Sequence, residues 1–194
     1  GYLLALSLPP DISYEWLQSF AAGLSDDQIA YRITLLGGDT TSTAGPLTLS
    51  LTAVGEVPTG RAIRRSGAVV GDDIFVTGTI GDAAIALRLF QEIGRVASCN
   101  KYPALYDRYF LPQPRTALGP LMVGTASACV DISDGLLADL GHICDASGVG
   151  ATVFQADIPL SSGASLVLEQ QQEYWEFVFG GGDDYELLFS AASE

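Results

Sequence analysis

A pair of aspartates lies between a predicted strand and a predicted helix in the second half of the sequence. An apolar run over 126–130 precedes Asp131-Ile132-Ser133-Asp134-Gly135, and a helical pattern of apolar residues begins at Leu136. The first turn of a helix offers unpaired backbone N–H groups and a partial positive charge, which favour phosphate oxygens and metal-bound carboxylates. An ordinary N-cap at Ser133 or Asp134 is the simpler alternative. The junction therefore predicts either hard-cation chemistry or a helix cap.

Two further segments combine glycines with acidic residues. Gly37-Gly38-Asp39-Thr40-Thr41 follows a predicted strand, and Gly180-Gly181-Gly182-Asp183-Asp184-Tyr185-Glu186 lies near the end of the chain. Glycines allow the backbone to pass close to a ligand or to take a positive φ. A plain glycine-containing hairpin turn around Asp39 is the alternative. Together with the first junction, these segments predict a site built on acidic turns.

The net charge of the chain narrows its range of partners. The formal charge is −14, from 23 acidic and 9 basic residues. Such a surface repels polyanions, so we expect no nucleic-acid partner. The sequence contains no Gly-x-x-x-x-Gly-Lys-Ser/Thr loop, which excludes a P-loop nucleotidase. A nucleotide could bind only where metal ions held by clustered aspartates invert the local field.

Cysteine usage and hydropathy indicate the compartment. Cys99, Cys129 and Cys144 are odd in number and lack metal-ligand spacing, so reduced thiols are expected rather than disulfides or a zinc site. No stretch approaches the ~18 uncharged apolar residues of a membrane span. We therefore expect a cytoplasmic protein without a membrane partner.

Apolar periodicity predicts an α+β fold in two parts. In the first part, an amphipathic helix is expected from Ser13, as its N-cap, to Leu24. The basic, glycine-containing stretch 61–71 is typical of a passage between domains, and we put the boundary near Gly67. The strands predicted in the first part are 1–8, 29–36 and 47–57.

The second part, from residue 68 onward, combines strands with more helices. Gly94 is expected to close the first of these helices, and Pro112 and Pro114 prevent one long helix later. The aspartate junction belongs to a predicted strand-helix-strand module. The predicted strands are 74–77, 128–132, 151–155 and 185–190, and the predicted helices are 82–93, 104–110, 115–125, 134–146, 165–169 and 171–175, with a loop over 94–103.

The three acidic motifs together resemble the thiamine-monophosphate kinases, a branch of the family that also contains aminoimidazole ribonucleotide synthetase, selenophosphate synthetase and the hydrogenase-maturation dehydratase. The linking segments 60–67 and 75–84 are similar as well, so the likeness runs over nearly all 194 residues. The Asp-x-Ser-Asp-Gly turn distinguishes the kinases from the other branches. The resemblance implies a two-domain α+β fold, with residues 1–67 from the ATP-binding, Mg²⁺-binding and dimerisation domain and residues 68–194 from most of the second domain.

The activity implied by the resemblance is ATP-dependent phosphorylation of thiamine monophosphate to thiamine diphosphate in a cytoplasmic homodimer. The implied transfer is direct, in-line and assisted by Mg²⁺, without a covalent or general-base residue, so the single histidine, His142, is expected to be structural. Another ATP-using enzyme of the same family and a non-catalytic module that binds nucleotide and Mg²⁺ are the alternatives. The family places further acidic ligands ahead of the position of Gly1, so these 194 residues alone are expected to be inactive.

The resemblance also implies roles for residues in the first two motifs. Gly38 and Asp39 would contact the nucleotide, and Asp39 would also bind Mg²⁺. Asp131 and Asp134 would be Mg²⁺ ligands, because two carboxylates three positions apart can face one ion. Ser133 would contact the nucleotide.

The remaining implied contacts involve one arginine and one aspartate. Arg65 matches the arginine that holds the ATP phosphates, with its neighbour Arg64 as the rival. Asp183 falls where the relatives carry glutamate and would contact the thiamine-phosphate substrate. Residues 184–186 are expected to be structural.

Overall fold

In this computed structural model, which describes residues 1–193, the chain forms two compact units, one over Gly1–Thr59 and the other beginning at Gly60. Each unit contains a three-stranded sheet and at least one helix. The predicted α+β class is therefore confirmed. The predicted boundary between domains near Gly67 stays a prediction, because a cluster of contacts and an independently folding domain are different properties.

The first unit is a small sheet with one long helix. Strand β1 (Tyr2–Leu8) is followed by helix α1 (Tyr14–Tyr31), and β1 lies between β2 (Leu35–Ser42) and β3 (Thr48–Ala53). It is parallel to β2 and antiparallel to β3. The hydroxyl of Ser13 accepts the backbone N–H of Trp16 at 3.1 Å, which confirms the predicted N-cap.

Two predictions for the first unit are wrong. The predicted strand 29–36 begins inside α1, which continues to Tyr31 and ends where Arg32 takes a φ of 53°. The predicted turn around Gly38 lies within β2, opposite Leu4 of β1. A Cβ at Gly38 would stand 1.8 Å from the carbonyl oxygen of Leu4, so this glycine allows two strands to approach rather than reversing the chain.

The second unit contains an antiparallel sheet surrounded by helices. Its strands are β4 (Asp72–Val76), β5 (Ala126–Ile132) and β6 (Glu186–Ala192), and β6 lies in the middle. Short 3₁₀ turns occupy Gln155–Asp157 and Gln172–Tyr174. The helices are α2 (Asp82–Ile93), α3 (Arg95–Lys101), α4 (Pro103–Phe110), α5 (Gly119–Met122), α6 (Leu136–Ser147), α7 (Ser162–Gln170) and α8 (Trp175–Gly180).

One continuous hydrophobic core supports the second unit. It joins the inner faces of β5 and β6 to the apolar sides of the helices, and burial of such side chains is the main stabilising contribution. Its largest fully buried apolar members are Ile80, Ile85, Leu105, Ile132, Val167, Tyr174, Val178 and Leu188. Because Ile132 is the last residue of β5, the core anchors the strand immediately before the acidic junction.

Several predictions for the second unit need correction. Residues 94–103 are not a loop, because α3 occupies most of this segment. The helix predicted over 115–125 is limited to the four residues of α5. Residues 151–155 form no strand, so the predicted strand-helix-strand module is absent from the part of the chain that the structure describes. The helix closed by Gly94 is confirmed. Among residues 1–193, no helix combines the length and apolarity needed to cross a membrane.

Candidate functional site

The site in the second unit begins at the junction predicted from the sequence. Strand β5 ends at Ile132, helix α6 begins at Leu136, and residues 133–135 form the turn between them. Asp131 and Asp134 are exposed. The junction therefore presents two carboxylates to solvent.

The backbone of this turn is held by an acidic residue that the sequence reasoning missed. One oxygen of Asp139, Oδ2, accepts the N–H groups of Ser133, Asp134 and Gly135 at 3.0, 3.0 and 3.1 Å. Asp139 lies in the first turn of α6 and is buried. The three N–H groups are therefore unavailable to a phosphate. An aspartate four residues after the Asp-Gly pair was the available sequence signal.

The segment that carries Asp183 packs directly on the same turn. The N–H of Asp183 donates to the carbonyl of Ser133 at 3.0 Å, and the N–H of Tyr185 donates to the carbonyl of Ile132 at 2.8 Å. A Cβ at Gly182 would stand 2.2 Å from the carbonyl oxygen of Ser133. Glycine is therefore required at position 182 so that the two backbones can approach.

Asp183 and Tyr185 have unusual backbone conformations, with φ values of 68° and 50°. Non-glycine residues in this region store strain and persist only where the surroundings hold them. The Tyr185 hydroxyl donates to Oδ1 of Asp183 at 2.9 Å, and this bond raises the pKa of Tyr185, with smaller contributions from the charges of Asp183 and Asp131. Asp131, Asp134 and Asp183, which we call the acidic cluster, therefore surround one turn.

A buried ion network supports the other side of the Asp183 segment. Glu186 is fully buried, and its carboxylate accepts bonds from Arg108 at 2.6 Å, from Arg115 at 2.5 and 2.6 Å, and from the Thr77 hydroxyl at 2.5 Å. Two arginines compensate one buried carboxylate, so the charge is paired. The prediction that residues 184–186 are structural agrees with this network for Glu186.

Asp184 links the segment to the start of α2. Its Oδ2 accepts the N–H of Gly81 at 2.8 Å, whereas its Oδ1 is buried and has no hydrogen-bond partner among residues 1–193. Burial raises the pKa of Asp184 to about 7, against the opposing effect of the N–H groups of Gly81 and Ala83. The carboxyl is therefore an anchor that changes charge near neutral pH.

His142 lies on α6 near the acidic turn. Ligand atoms of Asp134, Asp139 and His142 lie within 4.8 Å of one another, and the His142 side chain is exposed. Exposed acidic groups are common without a bound ion. Asp139 already accepts three N–H groups of the turn 133–135. We therefore keep the prediction that His142 is structural.

The arginines of the linking segment lie at two different places. The Arg64 carbonyl accepts the N–H of Cys129 on β5 at 2.9 Å, and the Arg65 carbonyl accepts the hydroxyl of Ser147 at 3.4 Å. Ser147 ends α6, so the backbone of Arg65 lies roughly 16 Å along the helix from the acidic turn. Both side chains are exposed, and within residues 1–193 neither forms a salt bridge.

The predicted residues of the first unit lie together on β2. Gly38 is opposite Leu4, and Asp39 is opposite Ala5. The Asp39 side chain is exposed, and its Oδ1 accepts the N–H of Thr40 at 2.9 Å. Its second oxygen is available for a ligand.

Comparison with known proteins places the chain in a family. The sequence matches the AIR synthase related protein family, its N-terminal domain over residues 1–57 and its C-terminal domain over residues 69–194. The chain is 43% identical over 187 residues to the thiamine-monophosphate kinase of Escherichia coli (strain K12), and the alignment covers 96% of this chain. It spans 56% of the length of that kinase.

Solved structures agree with this result. The crystal structure of thiamine-monophosphate kinase from Stenotrophomonas maltophilia K279a is similar with a TM-score of 0.90 and 44% identity, over 99% of this chain and 61% of that chain. A structure described as AaThiL complexed with AMPPCP and TMP is similar with a TM-score of 0.84 and 30% identity, over 98% and 61%. The resemblance to the thiamine-monophosphate kinases is confirmed. Matched over both domains, this chain belongs to the AIR synthase related protein family.

Proposed function

We propose that the chain carries out, as part of a kinase, the ATP-dependent phosphorylation of thiamine monophosphate to thiamine diphosphate. The observation that carries the proposal is the likeness over 98% of this chain to a structure complexed with AMPPCP and TMP. AMPPCP is an analogue of ATP, and we take TMP there to be thiamine monophosphate. The 43% identity to a kinase of that name supports the same activity.

The exposed carboxylates of both units are the proposed Mg²⁺ ligands. Asp131 and Asp134 present oxygens beside one turn, and Asp39 has a carboxylate oxygen without a hydrogen bond within residues 1–193. Carboxylate oxygens that leave room for water suit Mg²⁺, so the donor set fits. Bound Mg²⁺ would neutralise charge on the phosphates during transfer.

The other proposed contacts rest on the motifs that resemble those of the kinases. Gly38, Ser133 and Arg65 are proposed to contact the nucleotide, the last with its guanidinium group on phosphate oxygens. Asp183 is proposed to contact thiamine monophosphate. The Tyr185 hydroxyl donates a hydrogen bond to Oδ1 of Asp183 and holds this oxygen in place. We therefore propose that Asp183 orients the substrate and does not accept a proton from it. No general base is required because the attacking phosphate oxygen is already anionic.

We also propose that the protein acts in the cytoplasm as a homodimer. Three free cysteines, all half-buried, suit a reducing compartment. The first unit exposes large apolar side chains on two strands, among them Leu36 on β2 and Leu51 on β3, at 61% and 56%. Such side chains favour burial against a second copy.

The proposal is tested by product formation in a chain of the relatives' full length. Residues 1–194 replace the matching 187-residue region of the E. coli kinase, and the purified chimera is incubated with ATP, Mg²⁺ and thiamine monophosphate. We expect thiamine diphosphate and ADP in equal amounts, identified by mass. ADP release without thiamine diphosphate would instead support another ATP-using enzyme of the family. Nucleotide binding without ADP release would support a non-catalytic module.

A further inference from the structure

Asp139 is a buried carboxylate to which neither the sequence motifs nor the proposed function gives a role. It is 2% exposed, and its Oδ2 accepts three consecutive backbone N–H groups, those of residues 133–135. Hydrogen bonds to an ionised acceptor are stronger than those between neutral groups. The conformation of the turn therefore depends on this one side chain.

The turn that Asp139 holds also supports the Asp183 segment. The carbonyl of Ser133, whose own N–H is bound to Asp139, accepts the N–H of Asp183 at 3.0 Å. The neighbouring carbonyl of Ile132 accepts the N–H of Tyr185 at 2.8 Å. A change in the turn would thus be transmitted through two hydrogen bonds to Asp183, a member of the acidic cluster, and to Tyr185, both of which have strained backbones.

We infer that Asp139 is a positioning residue that holds the turn 133–135 so that Asp134 and Asp183 keep their places in the acidic cluster. The inference rests on the proposed function, in which Asp134 binds Mg²⁺ and Asp183 contacts thiamine monophosphate. Residues that hydrogen-bond to metal ligands from behind contribute to metal affinity without touching the ion.

The surroundings of Asp139 distinguish this role from that of a simple helix cap. Ligand atoms of Asp134 and His142 lie within 4.8 Å of those of Asp139, so a second carboxylate stands close to the proposed Mg²⁺ ligand. Like charges at this distance repel each other. The three N–H groups that Asp139 Oδ2 accepts offset this repulsion, and through Ser133 they connect Asp139 to Asp183, which lies outside the helix.

The test uses the 194-residue chain and the variants Asp139→Asn and Asp139→Ala. NMR measures amide hydrogen exchange at Ser133, Asp134, Gly135, Asp183 and Tyr185, and electron paramagnetic resonance measures binding of Mn²⁺ as a probe for Mg²⁺. Thermal unfolding and exchange at the β4–β6 amides report global stability. Asp145→Asn, an exposed carboxylate on the same helix, is the matched control.

We expect exchange at the five amides to rise about tenfold or more in Asp139→Ala relative to the β4–β6 amides. The Mn²⁺ dissociation constant should rise about tenfold or more as well. Asp139→Asn should show smaller effects, because its amide oxygen can still accept part of the hydrogen bonds. Asp145→Asn should match the wild type. His142→Asn should leave Mn²⁺ binding unchanged. Equal losses of Mn²⁺ affinity in the His142 and Asp139 variants would mean that both residues bind the ion directly, and this result would overturn the positioning role.

The remaining outcomes separate the inference from the proposed function. Unchanged exchange at Asp183 and Tyr185, or faster exchange only in parallel with the β4–β6 amides, would overturn the inference. If exchange at the five amides becomes faster but the Mn²⁺ affinity is unchanged, Asp139 serves only as a helix cap, and the inference is overturned as well. If the wild type binds no Mn²⁺ but the five amides respond as expected, the metal assignment of the proposed function fails while the positioning of the Asp183 segment is supported.

Discussion

At the scale of single residues, the chemistry of the second unit depends on which carboxylates face solvent and which are engaged. Asp134 is exposed and makes no side-chain hydrogen bond within residues 1–193, whereas buried Asp139 accepts three hydrogen bonds through Oδ2 and buried Glu186 accepts four through its two oxygens. Exposed oxygens without hydrogen bonds are available for an ion, and oxygens that accept hydrogen bonds hold neighbouring groups in place. On this basis we propose ion binding for the first kind of carboxylate and structural support for the second.

Replacing Asp134 by Asn tests the assignment to binding. We expect phosphoryl transfer by the full-length chimera to fall by about two orders of magnitude or more at limiting Mg²⁺, because the amide is a poor ligand for a hard cation. The melting temperature should stay near that of the parent chimera, since the side chain is exposed. Wild-type activity at limiting Mg²⁺ would show that the turn does not bind the metal.

The choice between the adjacent arginines is tested by two matched substitutions. Arg65→Lys keeps the charge but loses the two-pronged contact with phosphate, so we expect KM for ATP to rise more than KM for thiamine monophosphate. Arg64→Lys is the control and should leave both constants nearly unchanged. An equal or larger effect at Arg64, whose backbone bonds to Cys129 on β5, would assign the contact to Arg64 instead.

The buried carboxyl of Asp184 makes the free energy of unfolding depend on pH. Burial raises the pKa of Asp184 to about 7, so the carboxyl of Asp184 keeps its proton up to about pH 7 in the folded chain. In an unfolded chain the same carboxyl releases its proton near pH 4. The folded state thus binds more protons across this interval, and the free energy of unfolding falls as pH rises, by at most about 4 kcal/mol. Chemical denaturation at several pH values measures this fall. Asp184→Asn should abolish most of it, and an identical pH profile in that variant would contradict the assignment.

At the scale of secondary-structure elements, the site depends on the close approach of two loops. The segment 180–185 packs on the turn after β5 because Gly182 has no side chain to meet the Ser133 carbonyl. The same segment leads into β6, which pairs with β5 as its neighbour. The pairing of these two strands therefore brings the acidic cluster together.

Two glycine substitutions measure this approach. In Gly182→Ala the new Cβ would stand 2.2 Å from the Ser133 carbonyl oxygen, so the loops must separate, and we expect a loss of roughly 1–3 kcal/mol in the free energy of unfolding together with a higher KM for thiamine monophosphate. Gly180→Ala, where no atom lies within 4 Å of the added Cβ, is the control and should be nearly neutral. Equal effects of the two changes would contradict the proposed close contact.

The elements that could be predicted from the sequence are those set by local patterns. The change from strand to helix periodicity located Asp131 and Asp134, and Gly94 located the end of α2. The pairing of Gly38 with Leu4 could not be predicted, because a glycine that admits a neighbouring strand looks like one that makes a turn. The Thr77–Glu186 bond joins residues 109 positions apart, beyond the reach of any local pattern.

At the scale of the whole molecule, the chain combines the two domains of its family with surface carboxylates in each unit. Both family domains are matched, and each unit presents acidic residues from the predicted motifs at its surface. A chain with a net charge of −14 would repel a nucleotide unless cations are bound near those carboxylates. We therefore propose that the acidic cluster supports transfer of a phosphoryl group from ATP to thiamine monophosphate.

This proposed role of the acidic cluster can be tested with ATP that is labelled in its γ-phosphate. The chimera that carries residues 1–194 in the E. coli kinase is compared with the same chimera bearing both Asp131→Asn and Asp134→Asn. We expect Mg²⁺-dependent appearance of the label in thiamine diphosphate with the parent chimera, and a loss of at least about two orders of magnitude with the double variant. Label that appears only in inorganic phosphate, or transfer to thiamine monophosphate that the double variant retains, would contradict it.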